Sequence, residues 1–555
     1  MCPQLPLNFN SYYLVKHTEP ISEDCLFLNI YSPPSNGASL KPVVVYIHGG
    51  FFSYGGISMK LHDASELSAR GDLVAVTIAY RLGAFGFLNM GTEDAPGNMG
   101  LHDQLLALLW IKNNAKAFGG DPDQITLVGE SAGSYSVGVH LVSPRSKGLF
   151  RRAIMQSGSP FTTTLENSKN QARHRARVLA EMLDCGSPRK DSSSVKSTVN
   201  CMRSKDVAEI LNATATFTTE GLDGFFPVVG DDLIPVKPGQ ALKSRKLNVH
   251  ELLAGISSAE GDGLVDFVAK RFRDDTDAAD ITKKTMIFFA KGMMITLLDR
   301  ESQSVIDHYF GGSNVRDGIE SVHAAADLLG DSQLGCPTLG FVKRFLGSDT
   351  TVFMYQFSQQ PANIGWPKWV RPTHADEIAF ALGSVFQLET NVSEDDAKAA
   401  ENFMHIISTF SYTGDNGDIA HIRKKSMVTL MTTVMASRFS SDIEPIIEKY
   451  FGHVAASDGQ GAVYAAVDIV SHAQFSCPTV NFVKAFVHPG MTAYVYELSQ
   501  QPSYIGWPKL VRPTHADDIV FSLDSMFTLK VNATEADVRA TANFIRIVSS
   551  FIHSG

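Results

Sequence analysis

Nowhere in the chain does an apolar run reach the length needed to cross a bilayer. The best candidate, Met286 to Leu298, is short and interrupted by Lys291, so no membrane span is expected. Blocks of like charge and basic stripes are missing too. The net charge of −10 is spread along the sequence, which argues against nucleic acid as a partner. Met1-Cys2-Pro3-Gln4 has neither a basic start nor an apolar h-region, so no secretory signal is visible, and the sequence is compatible with a piece of a longer precursor. Cysteines are few, six among 555 residues, and their number alone does not separate thiols from bridges. What is present is ordinary globular material, 44% hydrophobic and 19% charged, enough for one very large core or a few smaller ones.

Cysteine spacing says more than the count. Cys2 and Cys25 bracket a loop rich in Pro, Asn and Ser, while Cys185 and Cys201 bracket the polar segment Gly186 to Asn200. Each pair can close a surface loop; buried or reduced thiols are the alternative. Three sequons, at Asn212, Asn391 and Asn532, tilt the balance towards the secretory pathway.

The first half alternates short β-rich runs with helical periodicity, as a mostly parallel, doubly wound α/β sheet covered by helices requires. Pro42 to Ile47, Leu73 to Ile78, Ile125 to Val128 and Ala153 to Met155 are apolar on both faces and read as central strands. Leu101 to Ala117 repeats apolar residues at helical spacing, with Asp103 placed to suit the helix dipole.

The second half holds a gapless tandem repeat. Tyr309-Phe310-Gly311 returns as Tyr450-Phe451-Gly452, and Cys336-Pro337-Thr338 as Cys477-Pro478-Thr479. His374 and His515, like Gly414 and Gly555, are separated by 141 residues. Residues 1–414 are therefore expected to form one α/β domain, with 415–555 a second copy of the α+β segment 274–414. Two long units make a duplication and not a solenoid.

Chemistry enters at Gly129-Glu130-Ser131-Ala132-Gly133, which follows the strand-like Ile125 to Val128 and precedes the helix-like Ser134 to Leu141. Strand, sharp turn and helix are the context of a nucleophile elbow. The flanking glycines are expected to let the backbone turn without a Cβ clash. Acyl transfer also needs a base, a group orienting that base, and donors for an oxyanion. Glu260 follows the apolar Leu252-Leu253-Ala254, at a strand end or in a surface loop. Two histidines compete as base, His374 in Arg371-Pro372-Thr373-His374 and His515 in Arg512-Pro513-Thr514-His515, and one Ser has room for one imidazole. Upstream, His48-Gly49-Gly50-Phe51-Phe52 follows a strand and can aim the N–H groups of Gly50 and Phe51, with that of Ala132, at an oxyanion.

These motifs, with Ser22-Glu23-Asp24-Cys25-Leu26-Phe27-Leu28-Asn29, Tyr80-Arg81-Leu82-Gly83-Ala84-Phe85-Gly86 and Gly97-Asn98-Met99-Gly100-Leu101, resemble those of type-B carboxylesterases, the carboxylesterase and cholinesterase family, over most of residues 2 to 414. The resemblance implies an α/β-hydrolase fold and a Ser131, Glu260, His374 triad that hydrolyses a small-molecule carboxylic ester through an acyl-enzyme. It implies no metal or organic cofactor, disulfides Cys2 with Cys25 and Cys185 with Cys201, and a secreted or secretory-lumen location. Cys336 and Cys477 have no evident partner.

Departures from that pattern matter as well. Phe51 stands where the family has a third glycine, at a steric cost if its φ is positive. Compared with the family, N-terminal strands and C-terminal helices are expected to be missing. His374 falls at about the family's distance from Glu260, and Gly383 fits the glycine expected after it, where the second copy has Asp524; His374 is the favoured base. Both copies offer similar apolar faces to one socket on residues 1–273, and only one can dock. Between Cys2 and Cys25 the aromatics are Phe9, Tyr12 and Tyr13 without a Trp, which disfavours a choline ester and points to an apolar one. The rival readings are a catalytically silent binding or adhesion protein of the same family and an incomplete, idle product.

Overall fold

The computed structural model describes residues 1–5, 20–34, 39–186, 192–219, 224–244, 248–269, 278–298, 302–312, 314–345, 350–362, 365–388, 392–414, 448–449 and 451–452. The chain divides into two compact units, Met1–Gly417 and Asp418–Gly555. His515, Cys477, Asn391, Asn532 and the aromatics Phe9, Tyr12 and Tyr13 lie outside the described residues.

Among the described residues, unit Met1–Gly417 is built on a seven-stranded sheet. Its strands are β1 (Leu28–Tyr31), β2 (Lys41–Ile47), β3 (Val74–Ile78), β6 (Gly120–Glu130), β7 (Arg152–Gln156), β8 (Glu251–Ser257) and β9 (Thr351–Phe357), while β4 (Asn89–Thr92) and β5 (Ala95–Pro96) form a small separate hairpin. The spatial order is β1-β3-β2-β6-β7-β8-β9. Only β1 runs antiparallel to its neighbour; the other pairings are parallel. This is the mostly parallel, helix-covered sheet of an α/β-hydrolase fold.

Side chains alternate between two cores, as a strand buried on both faces dictates. Val43, Val45 and Ile47 join one core with Val74, Val76, Ile125, Leu127, Ala153 and Met155. Val44, Tyr46, Ala75, Val128, Ile154 and Leu253 join the other. Each fully buried Val, Leu or Ile contributes roughly 1.5–3 kcal/mol relative to exposure. Helices Met99–Asn114 and Ala132–Val142 cover the first face, and helices Glu377–Leu382 and Glu394–Thr413 the second.

Some local details go beyond the reading of the sequence or differ from it. The helix expected over Leu101 to Ala117 runs over Met99–Asn114 and tightens into a 3-10 turn at Ala115–Phe118. Asp103 lies beyond the first turn of that helix and receives Arg81 Nε and Nη2, each at 2.8 Å. Two strands, β1 and β9, lie at the sheet edges. Segment 274–414 is chiefly helical, and β9 is its one strand among the described residues.

Both disulfides, Cys2–Cys25 and Cys185–Cys201, are formed, with Cα separations of 4.9 and 5.6 Å. Cys336 is a free, exposed thiol. Among the described residues no helix is long and apolar enough to cross a membrane.

Candidate active site

Parallel strands deliver their C-terminal ends to one edge of the sheet, and the loops that follow bring distant residues together. Ser131 lies between β6 and helix Ala132–Val142 with φ 55° and ψ −120°. A serine in this region is strained and persists because its surroundings over-determine it. Gly129 and Gly133 do not carry the positive φ themselves. They are needed for room: a Cβ on Gly129 would lie 2.5 Å from the Gly133 backbone, and one on Gly133 would collide with the Ile47 carbonyl. The turn is thus strained at the serine and packed through the glycines.

Glu260 sits three residues beyond β8, where one of its oxygens, Oε1, accepts the Ser257 N–H at 2.7 Å. His374 lies in the loop between β9 and helix Glu377–Leu382, followed by Ala375 in the left-handed region at φ 73°. Its Nδ1 donates to Glu260 Oε2 at 2.9 Å, and its Nε2 accepts from Ser131 Oγ at 2.8 Å. Ser131 and Glu260 are buried, and the His374 side chain retains 10% exposure. Residues 114 and 243 positions apart thus form one hydrogen-bonded chain.

The glycine-rich turn after β2 approaches the same serine. A Cβ on Gly49 would come within 2.9 Å of Ser131 Cβ. Gly50, Phe51 and Phe52 follow with φ of 102°, 53° and 55°, so the position where a side chain is costly does adopt positive φ. Ala132 begins the helix, where first-turn N–H groups lack intrahelical partners.

Around the imidazole lies a shell of buried carboxyls that sequence reasoning missed. Glu130 Oε1 is 3.3 Å from His374 Nε2. Glu377 accepts from Ser157 Oγ at 2.5 Å and Ser257 Oγ at 3.1 Å. Asp376 accepts from the Thr373 N–H and Trp366 Nε1 at 2.9 and 3.0 Å. Burial pushes Glu130 up to about 8 and Asp376 up to about 8. Desolvation works to lower His374, but the Glu130, Glu260 and Glu377 carboxylates outweigh it and raise the imidazole to about 9. Adjacency was the available signal: Glu130 precedes Ser131, and Asp376 and Glu377 follow His374 closely.

A buried hydroxyl held against an imidazole, itself held by a carboxylate, with a glycine-rich turn alongside, is equipped for nucleophilic attack on an acyl carbon. Comparison with known proteins agrees in kind. The model of the Carboxylesterase family matches residues 1–429 and matches again over 420–555. The chain is similar to acetylcholinesterase-1 of Trittame loki, 34% identical over 71% of this chain and 72% of the relative. Acetylcholinesterases of Bungarus fasciatus and Danio rerio are 32% and 30% identical, over 72% and 71% of this chain and 66% and 67% of their own lengths.

Proposed function

The chain belongs to the carboxylesterase family, and from that premise we propose that it hydrolyses carboxylic esters with Ser131 as nucleophile, His374 as general base and acid, and Glu260 as the carboxylate that orients His374. Ser131 Oγ attacks the carbonyl carbon as its proton passes to His374 Nε2. The tetrahedral oxyanion rests on the N–H groups of Gly50, Phe51 and Ala132, each such donor contributing roughly 3 kcal/mol to the transition state. His374 then gives its proton to the leaving alcohol, and water repeats the cycle on the acyl-enzyme. Glu260 accepts the Nδ1–H throughout and stabilises the imidazolium.

The observation that carries this reading is the unbroken chain Ser131 Oγ, His374 Nε2, His374 Nδ1, Glu260 Oε2 with links of 2.8 and 2.9 Å. Its test is hydrolysis of a short-chain nitrophenyl ester. Ser131→Ala and His374→Ala are each expected to lower kcat by about 10³-fold or more, with cooperative melts retained. Activity surviving Ser131→Ala ends the proposal, and a folded but inactive unmodified chain favours the silent binding protein.

The substrate reading is an apolar ester of moderate size. The relatives' names favour a second one, a choline ester, and the ratio of kcat/KM for the nitrophenyl ester to that for acetylthiocholine decides between them. The two disulfides, with the exposed Asn212 sequon, suit an oxidising, secretory compartment.

A further inference from the structure

Three successive left-handed residues, two of them phenylalanines, make the turn Gly50-Phe51-Phe52 costly, and such backbone persists only where its surroundings fix it. The turn is partly self-closed, since the Ser53 and Tyr54 N–H groups donate to the Gly50 carbonyl at 2.9 and 3.0 Å. Its two ends are held from outside by one short segment just past β3. Tyr80 Oη donates to the His48 carbonyl at 2.8 Å while its ring stacks on the His48 imidazole, centroids 4.5 Å apart. Gly83 N–H donates to the Phe52 carbonyl at 2.7 Å. Between these grips, Arg81 is locked on Asp103 through its backbone N–H and its guanidinium, so the segment is itself anchored to helix Met99–Asn114. The buried Phe52 ring packs on Phe87 at 5.0 Å and edge-on against Tyr135 at 5.6 Å, and Tyr135 belongs to the helix that starts beside Ser131.

We infer that Tyr80 is a positioning residue for ester hydrolysis: its hydroxyl, gripping the His48 carbonyl, holds the left-handed Gly50-Phe51-Phe52 turn so that its N–H groups stay aimed at the oxyanion. Tyr80 touches no reacting atom and acts only through this turn. The segment Tyr80-Arg81-Leu82-Gly83 thereby gains a role: a clamp on the oxyanion donors. The inference rests on the esterase reading above.

Tyr80→Phe removes one hydroxyl from the full chain and leaves the ring in place. On a short-chain nitrophenyl ester, kcat is expected to fall about tenfold or more with KM changed less than about twofold, because the donors serve the transition state more than the ground state. Affinity for a trifluoromethyl ketone, whose adduct with Ser131 carries the oxyanion, is expected to weaken by a similar factor. Phe51→Gly added to Tyr80→Phe is expected to restore part of both losses, since glycine needs no clamp to remain at positive φ. Phe52→Leu, which keeps the carbonyl bonded to Gly83 but removes the ring packed on Phe87 and Tyr135, gives an independent route to the same paired losses. A Tyr80→Phe protein with kcat and ketone affinity unchanged overturns the inference, as does a lowered melting temperature with unchanged kinetics, which assigns the hydroxyl to stability alone. Failure of the underlying reading looks different: the unmodified chain is inactive, or its activity survives Ser131→Ala, and the inference then falls with it.

Discussion

In the proposed reaction His374 must be neutral to take a proton from Ser131, and its surroundings favour the charged form. The carboxylates of Glu130, Glu260 and Glu377 outweigh desolvation and raise the imidazole to about 9. Glu130 is itself pushed up to about 8 by burial, so it supports the imidazolium only once ionised. The fraction of neutral imidazole grows as pH rises, so the acid limb of kcat/KM is expected above the ordinary histidine value of 6.5. Glu130→Gln removes one raising charge and is expected to move that limb to lower pH in a profile taken from pH 5 to 10. A limb that stays in place would mean that Glu260 and Glu377 suffice. At this scale the sequence was uneven: Ser131 was legible because strand, turn and helix are adjacent in the chain. Glu130, Asp376 and Glu377 were not, since a carboxyl beside a serine or histidine looks like any surface charge until tertiary packing buries it.

Elements meet the site through close backbone contacts. Helix Ile319–Gly330 ends against the loop that carries Glu260: a Cβ on Gly330 would lie 2.6 Å from the Gly261 nitrogen and 3.0 Å from Glu260 Cβ. Helix Glu377–Leu382 stops at Gly383, φ 77°, where a Cβ would lie 2.5 Å from Met404 Sδ and 2.6 Å from Glu66 Cβ. Gly330→Ser and Gly383→Asp are each expected to cost about 1–3 kcal/mol, read as a lower melting temperature. Gly330→Ser is also expected to lower kcat, because the neighbour it displaces carries the carboxylate proposed to orient His374; equal kcat in a folded Gly330→Ser protein would show that the loop absorbs the clash without moving Glu260. Central strands β2, β3, β6 and β7 were readable because both faces are buried and apolar. Edge strands β1 and β9 lack that signature, since β1 is only half-buried and much of β9 faces solvent. That Ser131, Glu260 and His374 converge was legible only in their order along the chain and in the family resemblance, because strand order, which local patterns do not record, sets their approach.

Across the whole molecule, the buried acids and His374 make stability depend on pH. Glu130, Asp376 and His374 all have folded values above their ordinary ones, so each holds its proton more tightly when folded. Their contribution is present in full below the unfolded values and is lost as pH rises through about 8 to 9. His140, lowered to about 3 by desolvation, acts in the opposite sense only below about 6.5. Melting temperature is therefore expected to fall between pH 6.5 and 9, by about 2 °C or more; a flat curve there would refute the shared sign.

The sequence sets His374 and His515 in matching strings, Arg371-Pro372-Thr373-His374 and Arg512-Pro513-Thr514-His515, as the proposed duplication requires. At the positions of Gly330, Glu377 and Gly383 the second copy has Ser471, Asp518 and Asp524. In the socket filled by the first copy, Ser471 would meet the Glu260 loop and Asp524 would carry a side chain at positive φ. Asp518, one methylene shorter than Glu377, would reach less well to the hydroxyls of Ser157 and Ser257. Each mismatch opposes exchange of the copies. In the full chain, His515→Ala is expected to leave kcat/KM within about twofold of the unmodified protein while His374→Ala abolishes it, and His374→Ala is not expected to be rescued by the intact His515. Residual activity in His374→Ala that disappears on adding His515→Ala would reverse this, showing that the second copy can displace the first despite the three mismatches.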